Sequence, residues 1–180
     1  EKCGSGYDSS LLAAVGGSTE TADLATWGGS TDPAHDTPHS GTAIPITGET
    51  QAITGADLCK SGSRSGWSCG VVEAVNQPVS VRDDSGKLHT VNSIIASTCL
   101  EPGDSGGAAV VGSLAVGIDS SASSTYACGS SHYYAGFFPL VSTSTHASVA
   151  RQYGSSWELK VTLAAPTLTS PATSTGVTFH

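Results

Sequence analysis

The chain has 180 residues, of which 12% are charged, and 15 acidic residues against 7 basic ones give a formal net charge of −8. This acidic balance argues against nucleic acid and anionic membrane as main partners. The length suffices for one domain with a sizeable core, and no run approaches the roughly 18 apolar residues of a membrane span.

Short apolar runs recur along the first 140 residues, each bounded by glycine, proline, asparagine, aspartate or serine. This pattern is typical of short antiparallel strands in a sandwich or barrel. The predicted strands are 11–15, 71–75, 79–81, 93–96, 108–111 and 114–118. The segment 83–86, Asp-Asp-Ser-Gly, predicts a hairpin turn.

One helix is predicted, over residues 143–153, with Gly154 as its C-cap. Beyond it, the segment LAAPTLTSPATSTGVTF has two prolines and no charge. It is typical of a linker or a mucin-like stalk, and equally of the opening strand of a further β domain. We place a boundary near residues 158–165.

The chain has five cysteines, none in a C-x-x-C pair or at metal-finger spacing from a histidine, so we expect no metal site. Few charges and widely spaced cysteines fit a secreted protein with disulfides. Local loops suggest Cys59–Cys69 and Cys99–Cys128, although spacing alone does not fix connectivity. Cys3 is then left without a partner.

The segment 101–109, EPGDSGGAA, holds Ser105 among three glycines. A serine nucleophile needs a base, usually a histidine oriented by a carboxylate, and donors for the oxyanion that forms on attack. The backbone amides of a tight glycine-rich turn, here those of Gly103 and Ser105, supply such donors. Taken alone, the motif fits a surface turn equally well.

Three segments, LCKSGSRSGWSCG (58–70), TCLEPGDSGG (98–107) and ACGSSHYYAGFFPLV (127–141), follow in that order. This set resembles the bacterial chymotrypsin-like serine proteases, the α-lytic protease and streptogrisin group, over roughly residues 5–155. The resemblance implies two packed six-stranded β-barrels with the active site between them, and both disulfides bonded as suggested. It also implies a secreted, actinobacterial origin and no cofactor.

The resemblance assigns roles to individual residues. It implies that Ser105 is the nucleophile, that Gly103 and Ser105 supply the oxyanion donors, and that Asp104 forms a buried ion pair with Lys60. It implies that Ser120, Ser121 and Ala122 pair with an extended substrate. The family commonly has glycine where Ala122 stands, which argues against the largest substrate side chains.

Two acidic residues are candidates for the triad carboxylate. Asp8 in GYDSSLLAAV resembles the form of many actinobacterial members, and we prefer it to Asp23. Asp119, in the strand before Ser120, favours a basic substrate side chain if it lies in the specificity pocket. The preferred interpretation is that it points away and is hydrogen-bonded elsewhere. His132, near the far wall of the same specificity pocket, favours an acidic substrate side chain. The preferred interpretation, however, is that His132 is a surface loop histidine.

The family carries its histidine in a Thr-Ala-Gly-His-Cys motif, which this sequence lacks. None of its histidines is followed directly by a cysteine; they are His35, His39, His89, His132, His146 and His180. We therefore expect the histidine on a separate N-terminal fragment or chain, joined non-covalently or through Cys3. The loss of catalysis is the alternative.

The predicted organisation has three parts. Residues 1–43 are the end of the first barrel and the inter-barrel connection, 44–157 are a complete second barrel, and 158–180 are a linker or a further module. The predicted function is a serine endopeptidase acting on polypeptides. A catalytically inactive protein that binds peptides or proteins is the alternative, and an adhesive β domain on a stalk is a weaker one.

Overall fold

The computed structural model describes residues 2–4, 6–10, 21–29, 41–83, 85–142 and 145–156, together with 159 and 161. Within them the fold is mainly β, as predicted. The strands are β1 (Lys2–Gly4), β2 (Tyr7–Ser9), β3 (Asp23–Thr26), β4 (Thr42–Pro45), β5 (Gly48–Glu49), β6 (Asp57–Gly62), β7 (Gly66–Arg82), β8 (Leu88–Ala96), β9 (Ala108–Val111), β10 (Leu114–Ala122) and β11 (Ala135–Pro139). The predicted strand at 11–15 lies outside the described residues.

Six strands form a closed antiparallel ring. They follow the order β11-β8-β7-β6-β9-β10, and β10 pairs back with β11. Because the ring closes, each of the six strands is hydrogen-bonded to a neighbour on both sides over much of its length. The ring therefore lacks the open edges of a flat sheet. β5 is added outside the ring, parallel to β10.

The two faces of the ring carry separate hydrophobic clusters, as the period-two alternation of strands requires. Leu58 and Phe137 belong to one cluster, whereas the adjacent Phe138 belongs to the other. Tyr7 of β2 packs edge-on against Phe138, with 6.4 Å between ring centroids. This packing holds β2, which contains Asp8, against the ring.

Two small sheets lie outside the ring. β1 pairs with β2 so that Cys3 lies opposite Asp8, and β3 pairs with β4 so that Asp23 lies opposite Pro45. The predicted partial first barrel and the boundaries 1–43, 44–157 and 158–180 remain predictions.

The predicted strands at 71–75 and 79–81 are one continuous strand, β7. Register irregularities between residues 72 and 77, with Asn76 at φ 56°, let the strand bend without ending. The predicted turn after β7 is confirmed, because the Asp83 amide donates to the Lys87 carbonyl at 2.9 Å and the Asp83 side chain caps the Ser85 amide.

The predicted helix is shorter than expected. α1 covers Val149–Tyr153 and is followed by a 3-10 turn, Gly154–Ser156. Ser148 is its N-cap, with the hydroxyl accepting from the Arg151 amide at 3.3 Å, and this cap fixes the start six residues later than predicted. Of the described residues, none belongs to a helix long enough to cross a membrane.

Two disulfides tie the ring together, and they are those that the local loops suggested. Cys59–Cys69 joins facing residues of β6 and β7 over a separation of 10, and Cys99–Cys128 closes a separation of 29. Loop-closure entropy gives stabilisations of about 2.7 and about 3.6 kcal/mol respectively. We expect the Cys99→Ser/Cys128→Ser variant to lose more stability in urea unfolding than Cys59→Ser/Cys69→Ser. The reverse order would contradict this ranking.

Candidate active site

Ser105 lies on an exposed tight turn between β8 and β9. The amide of Asp104 donates to the Glu101 carbonyl and that of Gly107 to the Asp104 carbonyl, each at 2.9 Å. The amide of Gly106 donates at 2.9 Å to the carbonyl of Asp119 in β10, which fixes the turn against the barrel. The serine hydroxyl is thus displayed at the surface on a backbone held from two sides.

Asp104 is the anchor beneath this turn. Its carboxylate is 1% exposed and accepts from the amides of Arg64 at 2.7 Å, Ser65 at 2.9 Å and Glu101 at 2.9 Å. Lys60 Nζ, fully buried in β6, donates to Asp104 Oδ2 at 2.9 Å. The structure therefore brings together the two residues of the predicted ion pair.

The hydrogen bonds of Asp104 outweigh its burial. Burial by itself raises the pKa of this carboxyl, but bonds from the Ser65 hydroxyl, the Glu101 and Ser65 amides and Lys60 hold the pKa well below its ordinary value. Since the folded-state pKa of Asp104 lies below its ordinary value, the stabilisation is fully present above the ordinary pKa. It is lost as the pH falls from there through the lowered folded-state pKa.

Removing the cation from this pair should be costly. Lys60→Met leaves the Asp104 carboxylate buried without a counter-charge, which costs about 3–5 kcal/mol. We expect urea unfolding to show this loss, whereas Lys87→Met, at an exposed lysine, should change stability by less than about 0.5 kcal/mol. Equal small losses in the two variants would contradict the anchoring role.

Two backbone amides of the turn have no acceptor. Within the described residues, no hydrogen bond uses the N–H of Gly103 or of Ser105. Gly103 has φ 105°, and a Cβ there would lie 2.5 Å from Arg64 Cγ, so this position requires glycine. Unpaired, exposed amides on either side of Asp104 can both donate to a developing oxyanion.

Asp8 is linked to β10, the second strand after the Ser105 turn. The Ser120 hydroxyl of β10 donates to Asp8 Oδ2 across 112 residues of sequence. Asp23, by contrast, is exposed at the first position of β3. The structure thus joins one of the two candidate aspartates to a predicted substrate-binding residue.

The three histidines in the described part of the chain are engaged elsewhere. His89 Nε2 lies 2.7 Å from Asp83 Oδ2 in the hairpin, and His146 Nδ1 lies 2.8 Å from Asn92 Nδ2. The His132 ring packs at a tilt against Tyr126, with 5.2 Å between ring centroids. Across the described ranges, Ser105 has no hydrogen bond to a histidine. The predictions on His35, His39 and His180 fall outside these ranges.

The end of β10 offers backbone to an extended chain. Ser121 and Ala122 pair with β11 on one side, whereas the pairing of β10 with β9 ends at Ile118. Among the described strands, none pairs with 120–122 on the β9 side. This open edge has the geometry for addition of a substrate strand.

Two features of the site were not foreseen from the sequence. The Ser65 hydroxyl bonds both Lys60 and Asp104, and the Arg64 side chain covers Gly103. Both residues lie in the turn between the paired strands β6 and β7, close to Lys60 in sequence. This position is the sequence feature that could have indicated their contact with the Ser105 turn. Asp119, expected to be hydrogen-bonded elsewhere, is instead buried to 2% exposure, and among the described residues its carboxylate oxygens have no hydrogen-bond partner.

A metal site is not supported at the one cluster of suitable atoms. Within the described residues, Cys99, Glu101 and Cys128 lie together. The two sulfurs are bonded to each other, however, so neither is a thiolate ligand.

Comparisons with known proteins confirm the resemblance found in the sequence. No protein-family model matches the chain. It is 36% identical over 100 residues to streptogrisin-C of Streptomyces griseus, covering 54% of this chain and 21% of that protein. It is 39% identical over 82 residues to serine protease 1 of Rarobacter faecitabidus, covering 46% and 15%. The chain thus spans about a fifth or less of these two relatives.

The fold comparison agrees. The structure matches the chymotrypsin of Cellulomonas bogoriensis with a TM-score of 0.57 and 28% identity, over 78% of this chain and 63% of that one. The relatives of this chain are therefore streptogrisins and other bacterial serine proteases, and its structural neighbours have the chymotrypsin fold.

Proposed function

We propose that this chain, a relative of the bacterial chymotrypsin-like serine proteases, is the nucleophile-bearing part of a secreted serine endopeptidase. The single observation that carries the proposal is the Ser105 turn, where an exposed hydroxyl stands beside two unpaired amides on a buried ionic anchor. Disulfides are typical of oxidising, extracellular surroundings, which supports secretion.

The chemistry is acyl transfer in two steps. Ser105 Oγ attacks the scissile carbonyl carbon as its proton passes to a histidine, and the amides of Gly103 and Ser105 hold the oxyanion. The histidine then gives that proton to the leaving amine, and an ester remains on Ser105. Water, deprotonated by the same histidine, attacks the ester; the bond to Ser105 Oγ breaks, the histidine returns the proton to Oγ, and the acid product leaves.

The carboxylate in this scheme is Asp8, which would orient the histidine and stabilise its charged form. Its hydrogen bond from Ser120 supports this role, because the bond fixes the carboxylate beside the strand that receives substrate. Ser120, Ser121 and Ala122 would bind the substrate backbone along the open edge of β10.

The histidine would come from outside these 180 residues, on a complementary N-terminal fragment or chain that Cys3 links or that packs non-covalently. The support is that the three described histidines engage other partners and that the match covers only 21% of streptogrisin-C and 15% of serine protease 1. The substrates would be polypeptides, with no cofactor required.

An inactive peptide-binding protein is the alternative function. The same engagement of His89, His132 and His146 favours it, because Ser105 without a base would bind peptides but not cleave them. Such a protein would retain the open β10 edge while losing turnover.

Hydrolysis by the native protein separates the two functions. We expect the secreted protein to cleave casein, to be stopped by phenylmethylsulfonyl fluoride and to be unaffected by EDTA. Intact mass before and after reduction should reveal a partner that carries a histidine before a cysteine. Casein left intact by a preparation that contains this partner would refute the endopeptidase function.

A further inference from the structure

Asp119 is a buried carboxylate without a partner. Its residue is 2% exposed, and in the described part of the chain neither of its carboxylate oxygens has a hydrogen-bond partner. Burying a charge without pairing is so costly that buried acids are normally paired, hydrogen-bonded or neutralised. A structural acid would carry hydrogen bonds like those of Asp104, and Asp119 carries none.

The position of Asp119 connects it to both halves of the candidate site. Its backbone bonds the nucleophile turn twice, accepting from the Gly106 amide at 2.9 Å and donating to the Gly107 carbonyl at 2.8 Å. The next residue is Ser120, which begins the segment that substrate would contact. Asp119 is therefore bonded through its backbone to the Ser105 turn and lies one residue before the segment proposed to bind substrate.

Two glycines allow polar side chains of this part of β10 to pack directly against the neighbouring backbone. A Cβ on Gly107 would lie 2.6 Å from Asp119 Oδ2, and a Cβ on Gly136 would lie 2.4 Å from Ser121 Oγ. The Ser121 hydroxyl is also buried and without a partner among the described residues. Three polar oxygens on one short stretch thus lack donors, and all three can accept hydrogen bonds.

The charges that face Asp119 do not neutralise it. Lys60 of β6 is the nearby cation, but it is already bonded to Asp104 and Ser65. Asp104 of the turn repels a charge on Asp119, and Tyr133, before β11, is a further titratable neighbour. Burial above all, with Asp104 opposing Lys60, raises the pKa of Asp119 to about 7.

We propose that Asp119 is a specificity-determining residue, whose carboxylate accepts the cationic side chain of a lysine or arginine immediately before the scissile bond, with Ser121 Oγ as a second acceptor. This inference rests on the proposed endopeptidase function. A guanidinium or ammonium supplies the missing donors and the missing positive charge together. A neutral or acidic substrate side chain supplies no such charge.

Benzamidine, a guanidinium-like probe, tests this site without requiring catalysis. We expect calorimetry on the native protein at pH 8 to show benzamidine binding, and benzamide, its neutral isostere, to bind at least about 30-fold more weakly. Asp119→Asn should weaken benzamidine binding by a similar factor, whereas Asp57→Asn, at an exposed aspartate of β6, should leave it unchanged. Equal binding of the two probes overturns the inference.

Proton release in the unmodified protein gives a second readout, which does not depend on any variant. Below pH 7 the Asp119 carboxyl is mostly protonated and must lose its proton to pair with a cation, whereas above pH 7 it is already charged. Benzamidine binding should therefore release up to one proton at pH 6 and close to none at pH 8.5. Equal proton release at both values overturns the inference.

Peptide substrates separate this inference from the function on which it rests. We expect peptides with lysine or arginine before the scissile bond to be cleaved at least about 30-fold faster than those with phenylalanine or glutamate. Cleavage without this preference, unaffected by Asp119→Asn, overturns the inference and leaves the endopeptidase function standing. Cleavage of none of the peptides overturns both.

Discussion

Ser105→Ala is expected to lower kcat/KM of the native protein by about 10⁴- to 10⁶-fold. The hydroxyl is the atom that forms the acyl-enzyme bond, and no other side chain can replace it in that step. The loss should fall almost wholly on kcat, because the β10 edge that binds substrate is untouched. The measurement is steady-state hydrolysis of a peptide with a chromogenic leaving group.

The matched control is Ser155→Ala, at an exposed serine of the 3-10 turn after α1. It should leave both kinetic constants unchanged, and urea unfolding of the two variants should match that of the parent within about 0.5 kcal/mol. Retention by Ser105→Ala of more than a tenth of the activity would rule out Ser105 as the nucleophile.

Asp8→Asn is expected to lower kcat by about 10⁴-fold, because an amide in place of the carboxylate favours the wrong histidine tautomer and does not stabilise the imidazolium. The change is nearly isosteric, and the amide can still accept the hydrogen bond from Ser120. Substrate binding should therefore be little affected, so KM should stay within a few-fold of its value in the parent.

Asp23→Asn is the control that decides between the two aspartates. Asp23 is exposed on β3, and its change should leave kcat within about two-fold. The opposite result, with activity lost in Asp23→Asn and kept in Asp8→Asn, would transfer the triad role to Asp23.

Much of the six-stranded ring was predictable because its signals are local. The run at 108–111 became β9, since four consecutive apolar residues between turns fit a strand buried on both faces. The turn at 83–86 followed from turn chemistry alone. The helix was misjudged at its start, because serine and threonine occupy 142–145 as well as the true N-cap at 148, and only tertiary packing selects between them.

The site was predictable where a motif carries the chemistry, and less so where distant segments meet. Lys60 and Asp104 are 44 residues apart, and their pairing came from a resemblance rather than from any local pattern. The Ser120–Asp8 bond spans 112 residues and depends on β2 packing against the ring, which periodicity does not encode. Among the described residues, the Asp119 carboxylate has no hydrogen-bond partner. This depends on which residues surround it in the fold, and no sequence pattern predicts it.

Covalent labelling of Ser105 tests the central claim most directly. The native protein, with its partner present, is treated with a fluorophosphonate and digested, and the peptide that contains 101–109 is analysed by tandem mass spectrometry. We expect one adduct on Ser105, its formation slowed at least about 100-fold in Asp8→Asn. Labelling that is absent from Ser105, or no faster there than at Ser155, would contradict the claim that this turn holds an activated nucleophile.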